Sequence, residues 1–420
     1  MHLYKTQTKQ VEIFTIPARP ITIYVCGITP YDTTHVGHAF TYVVNDMLIR
    51  YLEYLGHTVR YAQNITDIDD DILRRAKETG DDWRALGNRW TAHFVRDMQS
   101  LNVRPPDFFP GATDVIAQII DMVQALLDAG MAYVVAGNVY YHVDNWPEFG
   151  KLSGIPRGEM LAVANEHGNV PDDPHKRDPL DFVLWQAQAS GEPVWESPWG
   201  PGRPGWHIEC STMATHFLGD TIDLHSGGSD LLFPHHECEI AQVEPVTGKQ
   251  PFVRNWVHVA MVRYAGEKMS KSLGNLVMVS DLLEEIAPDS LRIYLAQQHY
   301  RQPWDFDKKE LQAAAMLAHQ LTAAVQAASG QGQALDITPL HNAFGEAMDR
   351  DLDTPAALRT LATISEQILD AAKNGWRVDT AQATLRTMAQ VFGLQLDSAG
   401  PEVRVVEGWQ RHLLRFDTAT

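Results

Sequence analysis

Ile21-Thr22-Ile23-Tyr24-Val25 opens the stretch that decides the fold. It is a short, β-branched apolar run of the kind buried on both faces of a parallel sheet. Cys26 and Gly27 end it, and a loop carrying His35-Val36-Gly37-His38 follows. Residues 42–55 then read as a helix that stops near Gly56. Residues 58–61 are a second strand candidate and 72–79 a second helix. This alternation predicts an α/β fold with a doubly wound parallel sheet.

Outward from that stretch, Val115, Ile116, Ile119, Ile120, Val123, Leu126 and Leu127 recur at helical spacing. Thr113 or Asp114 would cap that helix and Gly130 would stop it. Residues 131–200 change texture: a strand over 139–143 lies among many Pro, Gly, Asp and Trp residues. This predicts a loop-rich insertion that splits the sheet domain. The α/β texture resumes near Trp206 and runs to about Val279. From Leu282 the pattern is helical, over 313–328, 336–347, 354–374 and 380–393, with breaks at Gly330, Gly332 and Gly375. The expected division is 1–130 and 201–280 for the two halves of the sheet domain, 131–200 for the insertion, 281–395 for a helical domain and 396–420 for a short tail. In that tail, Gly408-Trp409-Gln410-Arg411-His412 reads as a packed end rather than a docking helix.

The 420 residues carry 34 Lys plus Arg and 53 Asp plus Glu, so the net charge is 34 − 53 = −19. Apolar residues at 45% and charged residues at 21% exclude global disorder. Three cysteines cannot build a disulfide scaffold, which turns attention to metal or catalytic roles. The polar start, Met1-His2-Leu3-Tyr4-Lys5, is not a signal peptide, and no apolar run is long enough to span a bilayer. A cytoplasmic, monomeric protein without membrane contact is the expectation. The acidic balance argues against non-specific polyanion binding but leaves room for a local basic groove.

Three constellations carry chemistry. In the first, backbone amides at a helix start favour anions, and His35 and His38 can donate to phosphate oxygens. Gly37 lets a nucleotide approach the backbone. The second is Lys268-Met269-Ser270-Lys271-Ser272, followed by Leu273-Gly274-Asn275. Two lysines with hydroxyls between them suit a loop that clamps a triphosphate. In this order the two segments resemble the HIGH and KMSKS signatures of class I aminoacyl-tRNA synthetases. That resemblance implies ATP binding, aminoacyl-adenylate formation, and a Rossmann-type domain split by an insertion and followed by an α-helical bundle. The third constellation is Cys26, Cys210, His235 and Glu239. The i, i+4 spacing of the last pair puts an imidazole and a carboxylate on one helix face. Two thiolates, an imidazole and a carboxylate are acceptable zinc ligands, though too dispersed for a zinc-finger pattern.

Cys26-Gly27-Ile28-Thr29-Pro30-Tyr31-Asp32, Asn64-Ile65-Thr66-Asp67, Gly205-Trp206-His207-Ile208-Glu209-Cys210 and Gly227-Gly228-Ser229-Asp230 look like cysteinyl-tRNA synthetase and its relative, the mycothiol cysteine ligase. The resemblance spans roughly residues 1–395. It implies L-cysteine and ATP with Mg2+ as substrates, and Zn2+ held by Cys26, Cys210, His235 and Glu239. It further implies that Thr66, Trp206 and His225 contact the cysteine. Gly37, Gly227, Gly228, Asp230, Met269 and Ser270 would hold ATP or the adenylate, and His35, His38, Lys268 and Lys271 would act in catalysis. Cys238, three residues after His235, competes with Glu239 for the fourth ligand position, and that position is open in mycothiol-type enzymes.

The two relatives differ in the acceptor, a tRNA or a small glucosaminyl-inositol amine. For the amine stand the short stretch after Gly393, the pair Ala39-Phe40 after the histidine motif, and the acidic charge. For tRNA-Cys stand Glu239, the segment Lys176-Arg177-Asp178-Pro179-Leu180-Asp181-Phe182 and the start Leu3-Tyr4-Lys5-Thr6. The preferred expectation is a small amine. The intact histidine and lysine motifs speak against a non-catalytic paralogue.

Overall fold

The computed structural model describes residues 1–32, 34–269, 273–396 and 407–416. Its centre is a parallel sheet of four strands: β1 (Ile21–Ile28), β2 (Val59–Ile65), β3 (Ile222–Gly228) and β4 (Val253–Val259), in the order β4-β3-β1-β2. β1 and β3 pair at Ile23↔Leu224, Tyr24↔His225 and Val25↔Ser226. Every residue of Ile21–Cys26 is buried, which accounts for the unbroken apolar run. From β1 the chain moves one way to β2 and later returns on the other side to β3. The strand order therefore reverses between β1 and β3. In open parallel sheets, a crevice forms beyond the strand C-termini at such a reversal.

Helix α1 (Val36–Tyr54) follows β1, and α2 (Asp70–Thr79) and α3 (Trp83–Ser100) follow β2. Asp82 caps α3 by accepting from the Arg84 and Ala85 amides. α3 is absent from the sequence-based expectation, because Gly87 and scattered arginines break its apolar stripe. The cap and the buried Leu86, Phe94, Val95 and Met98 reveal it. The expected caps of the next helix, α4 (Ile116–Asp128), are engaged elsewhere. Thr113 donates to Asp67 and Asp114 accepts from the Gly111 amide, so Val115 enters the helix with no side-chain cap.

An antiparallel sheet, Ala132–Val135, Asn138–Tyr141, Phe182–Ala187 and Gly202–Pro204, separates the two halves of the parallel sheet. Its last strand leads into α5 (Trp206–Leu218), and α6 (Glu237–Thr247) follows β3. Beyond Val279 helices dominate. One exception is the short strand Trp304–Asp305, which pairs with Val262–Tyr264 and sets Trp304 against the edge of the Phe40 ring. The helix Glu407–Phe416 is a packed end. Trp409 is fully buried beside Phe94 and Phe109, and its indole donates to the Val103 carbonyl at 2.8 Å.

The helical region is tied to the sheet domain by one buried cation. Arg292, in α7 (Pro288–Ala296), is fully buried and donates to the carbonyls of Leu101 and Phe392 and to Asp46 of α1. Burial pushes the Asp46 carboxyl up, but Arg50 and Arg292 outweigh it and hold it below its ordinary value. Removing one partner of a buried pair leaves an uncompensated charge. Arg292→Ala is expected to lower unfolding stability by about 3 kcal/mol in urea titration, since Arg50 still answers Asp46. Because Asp46 is depressed when folded, its contribution is present above the unfolded carboxylate value near ~4 and is lost as pH falls through the folded value. Stability measured against pH should fall in that acidic window, and less so in Asp46→Asn.

Candidate functional site

A cavity of about 790 Å³ occupies the crevice beyond β1 and β3. Its inner end is buried and polar, with Cys26, Cys210 and His235 on its lining. Its outer end carries His35, Gly37, His38 and the exposed Lys268. Thr66, Trp206, Gly228, Asp230 and Met269 line the space between.

Three elements meet at the inner end. β1 delivers Cys26, α5 delivers Cys210, and the irregular turn Leu232–His236 with the start of α6 delivers His235 and Glu239. Cys26 Sγ lies 3.9 Å from Cys210 Sγ and 3.9 Å from Glu239 Oε1, while His235 Nε2 is 3.3 Å from Glu239 Oε1. At that separation the two sulfurs are free thiols, not a disulfide. Bonds of ~2.0–2.3 Å to a tetrahedral zinc put neighbouring ligand atoms ~3.3–3.8 Å apart, so this donor set fits such an ion. All four donor atoms lie within 4.8 Å of one another, and all four residues are buried. Burial pushes the Cys26 thiol and the Glu239 carboxyl up and the His235 imidazole down. All three shifts favour uncharged side chains, which a buried cation would reverse at the two acids.

Cys238 does not join this set. It is buried, but it is not among the donor groups that lie within reach of one another. His225 does not line the cavity either. It is fully buried behind Glu239, with Nε2 3.0 Å from Glu239 Oε2 and its ring stacked on Trp256. Its ring stands beside the donor atoms, in a grouping with Cys26, His236 and Glu239, rather than on the cavity lining. Gly227 is likewise off the cavity lining, and a Cβ there would meet Leu231 Cδ1 at 2.9 Å and the His236 ring at 3.2 Å. The glycine thus makes room for the side chains of Leu231 and His236. Phe40 lies fully buried against Trp304, so the Ala39-Phe40 pair is core packing and says nothing about an acceptor.

Three histidines unforeseen in the sequence surround the donors. His236 Nε2 is 3.4 Å from Cys26 Sγ, and its Nδ1 is 2.8 Å from His258 Nε2. His258 in turn meets Thr6 at 2.8 Å. His207 Nδ1 is 2.9 Å from His235 Nδ1. Cys26, His225, His236 and Glu239 form a second grouping of comparable compactness. The doublet His235-His236 was the available sequence signal. The roles of His207 and His258 depend on strand and helix placement.

At the outer end, His35 caps α1: its Nδ1 accepts from the Gly37 amide at 3.1 Å. The rings of His35 and His38 stack with centroids 3.9 Å apart. Burial, with a smaller effect of His35, lowers the basicity of His38, which makes it a neutral hydrogen-bond partner. The segment after the lysine motif is stitched to this turn. Val36 donates to the Val277 carbonyl at 2.8 Å and Val279 to Thr34 at 3.0 Å. The two motifs are therefore adjacent in space. Lys268 ends a short strand, Glu267–Lys268, whereas Ser270 and Lys271 lie outside the described residues.

One equivalent of zinc per chain is expected to bind, and Cys210→Ala is expected to lose it. Cys238→Ser should keep it. Competition with a chromophoric chelator checks both, and full zinc retention by Cys210→Ala would exclude this donor set. Because Cys26 and Glu239 favour their protonated forms, zinc must displace protons, and its affinity should weaken as pH falls.

Residues 13–316 match the family described as tRNA synthetases class I (C) catalytic domain, and residues 343–397 match the DALR domain. A cysteine–tRNA ligase of Thermosynechococcus vestitus is 44% identical over 430 aligned positions, covering 97% of this chain and 88% of that protein. The L-cysteine:1D-myo-inositol 2-amino-2-deoxy-alpha-D-glucopyranoside ligase of Thermomonospora curvata is 43% identical over 396, covering 93% of each. A methionyl-tRNA synthetase of Mycobacterium tuberculosis, in complex with methionyl-adenylate, is alike in fold, with a TM-score of 0.64 at 17% identity over 89% of each chain. With most of its length matched by one catalytic family, and relatives above 40% identity across nine-tenths of it, the chain belongs to the class I (C) tRNA synthetase family of ligases.

Proposed function

We propose that this chain activates L-cysteine as cysteinyl adenylate and transfers the cysteinyl group to a small primary amine. The observation that carries the first half is the buried Cys26, Cys210, His235 and Glu239 set at the inner end of a cavity whose mouth holds His35, His38 and Lys268. A bound zinc would take the substrate thiolate and discriminate against serine, whose hydroxyl is a poor zinc ligand.

The chain's own residues account for the rest. Trp206 and Thr66 line the space next to the donors, where the amino acid would sit. A cysteine carboxylate oxygen attacks the α-phosphorus of ATP, which enters with Mg2+, and pyrophosphate leaves. His35, His38 and Lys268 face the phosphates, and their hydrogen bonds strengthen as charge develops. The amine nitrogen then attacks the adenylate carbonyl. A C–N bond forms, the bond to AMP breaks, and the amine gives up a proton to solvent.

One observation supports an amine over a tRNA: the net charge of −19 adds no long-range attraction for a nucleic acid. At the cavity rim the charges balance, since Asp71 and Glu78 are paired with Arg74 and Arg75 on the same lining. The second reading is a cysteine–tRNA ligase, favoured by the place of Glu239 among the donors.

Cysteine-dependent exchange of pyrophosphate into ATP should be measurable in the purified chain, and its absence would leave only a binding role. His38→Ala should lower that exchange about 10²-fold. Labelled cysteine offered with total tRNA, and separately with 1D-myo-inositol 2-amino-2-deoxy-α-D-glucopyranoside, should appear on the amine. Label on tRNA alone would replace the proposal by the second reading.

A further inference from the structure

Tyr24 stands two positions before Cys26 on β1, so both side chains project from one face of the sheet. It lies level with His225 of β3, and the two rings are 4.9 Å apart between centroids. In the core it belongs to one buried cluster with Cys26 and Cys210. Its side chain is fully buried, and among the described residues its hydroxyl has no hydrogen-bond partner. The groups this hydroxyl faces are the donors themselves, Cys210 first, then Cys26 and Glu239. We infer that Tyr24 is a positioning residue of the metal centre, whose hydroxyl donates a hydrogen bond to the Cys210 sulfur when that sulfur is a metal-bound thiolate. The inference rests on the zinc reading of Cys26, Cys210, His235 and Glu239.

The orphaned hydroxyl is the first reason. A buried polar atom that bonds to nothing in the protein needs an explanation. Phenylalanine would fill the same space in β1 without that cost, so the oxygen is what the position adds. The pattern around the donors is the second. His236 Nε2 is 3.4 Å from Cys26 Sγ, His225 Nε2 is 3.0 Å from Glu239 Oε2, and His207 Nδ1 is 2.9 Å from His235 Nδ1. Three of the four donors thus have an outer partner of their own. Among the described residues Cys210 Sγ meets only Cys26 Sγ, at 3.9 Å. The one donor without an outer partner is therefore the one that the partnerless hydroxyl faces.

Charge is the third. Two thiolates and a carboxylate bring three negative charges to an ion of +2, and the incoming cysteine thiolate brings a fourth. Buried negative charge is held by hydrogen-bond donors. A phenol is protonated at neutral pH and supplies one without adding charge. Drawing electron density from the Cys210 sulfur also leaves the ion a stronger acceptor for the substrate thiolate.

The test is metal binding by Tyr24→Phe, which keeps the ring and removes the hydroxyl. Cobalt(II) is the spectroscopic probe, since it takes the same donors and its thiolate charge-transfer band reads the electron density on sulfur. That band is expected at longer wavelength in the variant, with zinc affinity about tenfold weaker in competition with a chromophoric chelator. The metal-free variant is expected to unfold at the same urea concentration as the metal-free unsubstituted chain, or higher, because the lost hydroxyl had no partner. Tyr141→Phe is the control: its buried hydroxyl donates to the Ala241 carbonyl at 2.8 Å, so stability should fall and the band stay in place. An unmoved band in Tyr24→Phe overturns the assignment, whatever the zinc affinity. A metal-free Tyr24→Phe chain that unfolds more readily also overturns it, since that marks a packing role. An unsubstituted chain that takes up no metal overturns the donor set, and the role of Tyr24 with it.

Discussion

The parallel pairing of β1 with β3 is the constraint on which the site depends. Two segments far apart in the chain meet at Ile23↔Leu224, Tyr24↔His225 and Val25↔Ser226. Cys26, near the end of β1, stands beside Cys210 of α5, the helix that leads into β3, 184 positions further along the chain. Closing so long a loop costs only slightly more than closing a short one, because the entropy grows with the logarithm of length. Burial of strand residues at 0% exposure on both partners offsets it. The insertion is tolerated for the same reason.

The polar interior around Cys26 would be costly if its groups were charged and unanswered. The fold handles this by keeping histidines neutral and linking them. His236 and His258 form a chain that ends on Thr6, in the hairpin His2–Lys5 and Gln10–Ile13. That N-terminal hairpin looks peripheral in sequence, yet through His258 it reaches an imidazole beside the Cys26 sulfur. Such outer partners fix ring orientation and tautomer at a metal site. Gly227 lacks a side chain where both Leu231 and the His236 ring press close.

The helical region contributes stability to the same centre by another route. Arg292 pins α7 to Asp46 of α1 and to the carbonyls of Leu101 and Phe392. α1 begins at the histidine motif, so an anchor on its far half sets the angle at which His35 and His38 meet the cavity. A buried guanidinium that satisfies two carbonyls and a carboxylate gains geometry more than net free energy.

Much of this was legible in the chain. The run Ile21–Val25 revealed a buried parallel strand because continuous β-branched residues leave no solvent face. The spacing of His235 and Glu239 announced their proximity, since four residues make about one helical turn. The glycine-flanked histidines and the lysine motif read as parts of one site, and His35, His38 and Lys268 do line one cavity. The choice between Glu239 and Cys238 was not legible, because adjacent helical positions point about 100° apart and only packing tells which direction faces the strand. Nor was the withdrawal of His225 and Phe40 into the core, or the capture of Thr113 and Asp114 by other partners. Local pattern determined the elements and the chemical inventory. Tertiary structure decided which side chains share a space, because that follows from strand order and helix rotation, and neither is written in residue spacing.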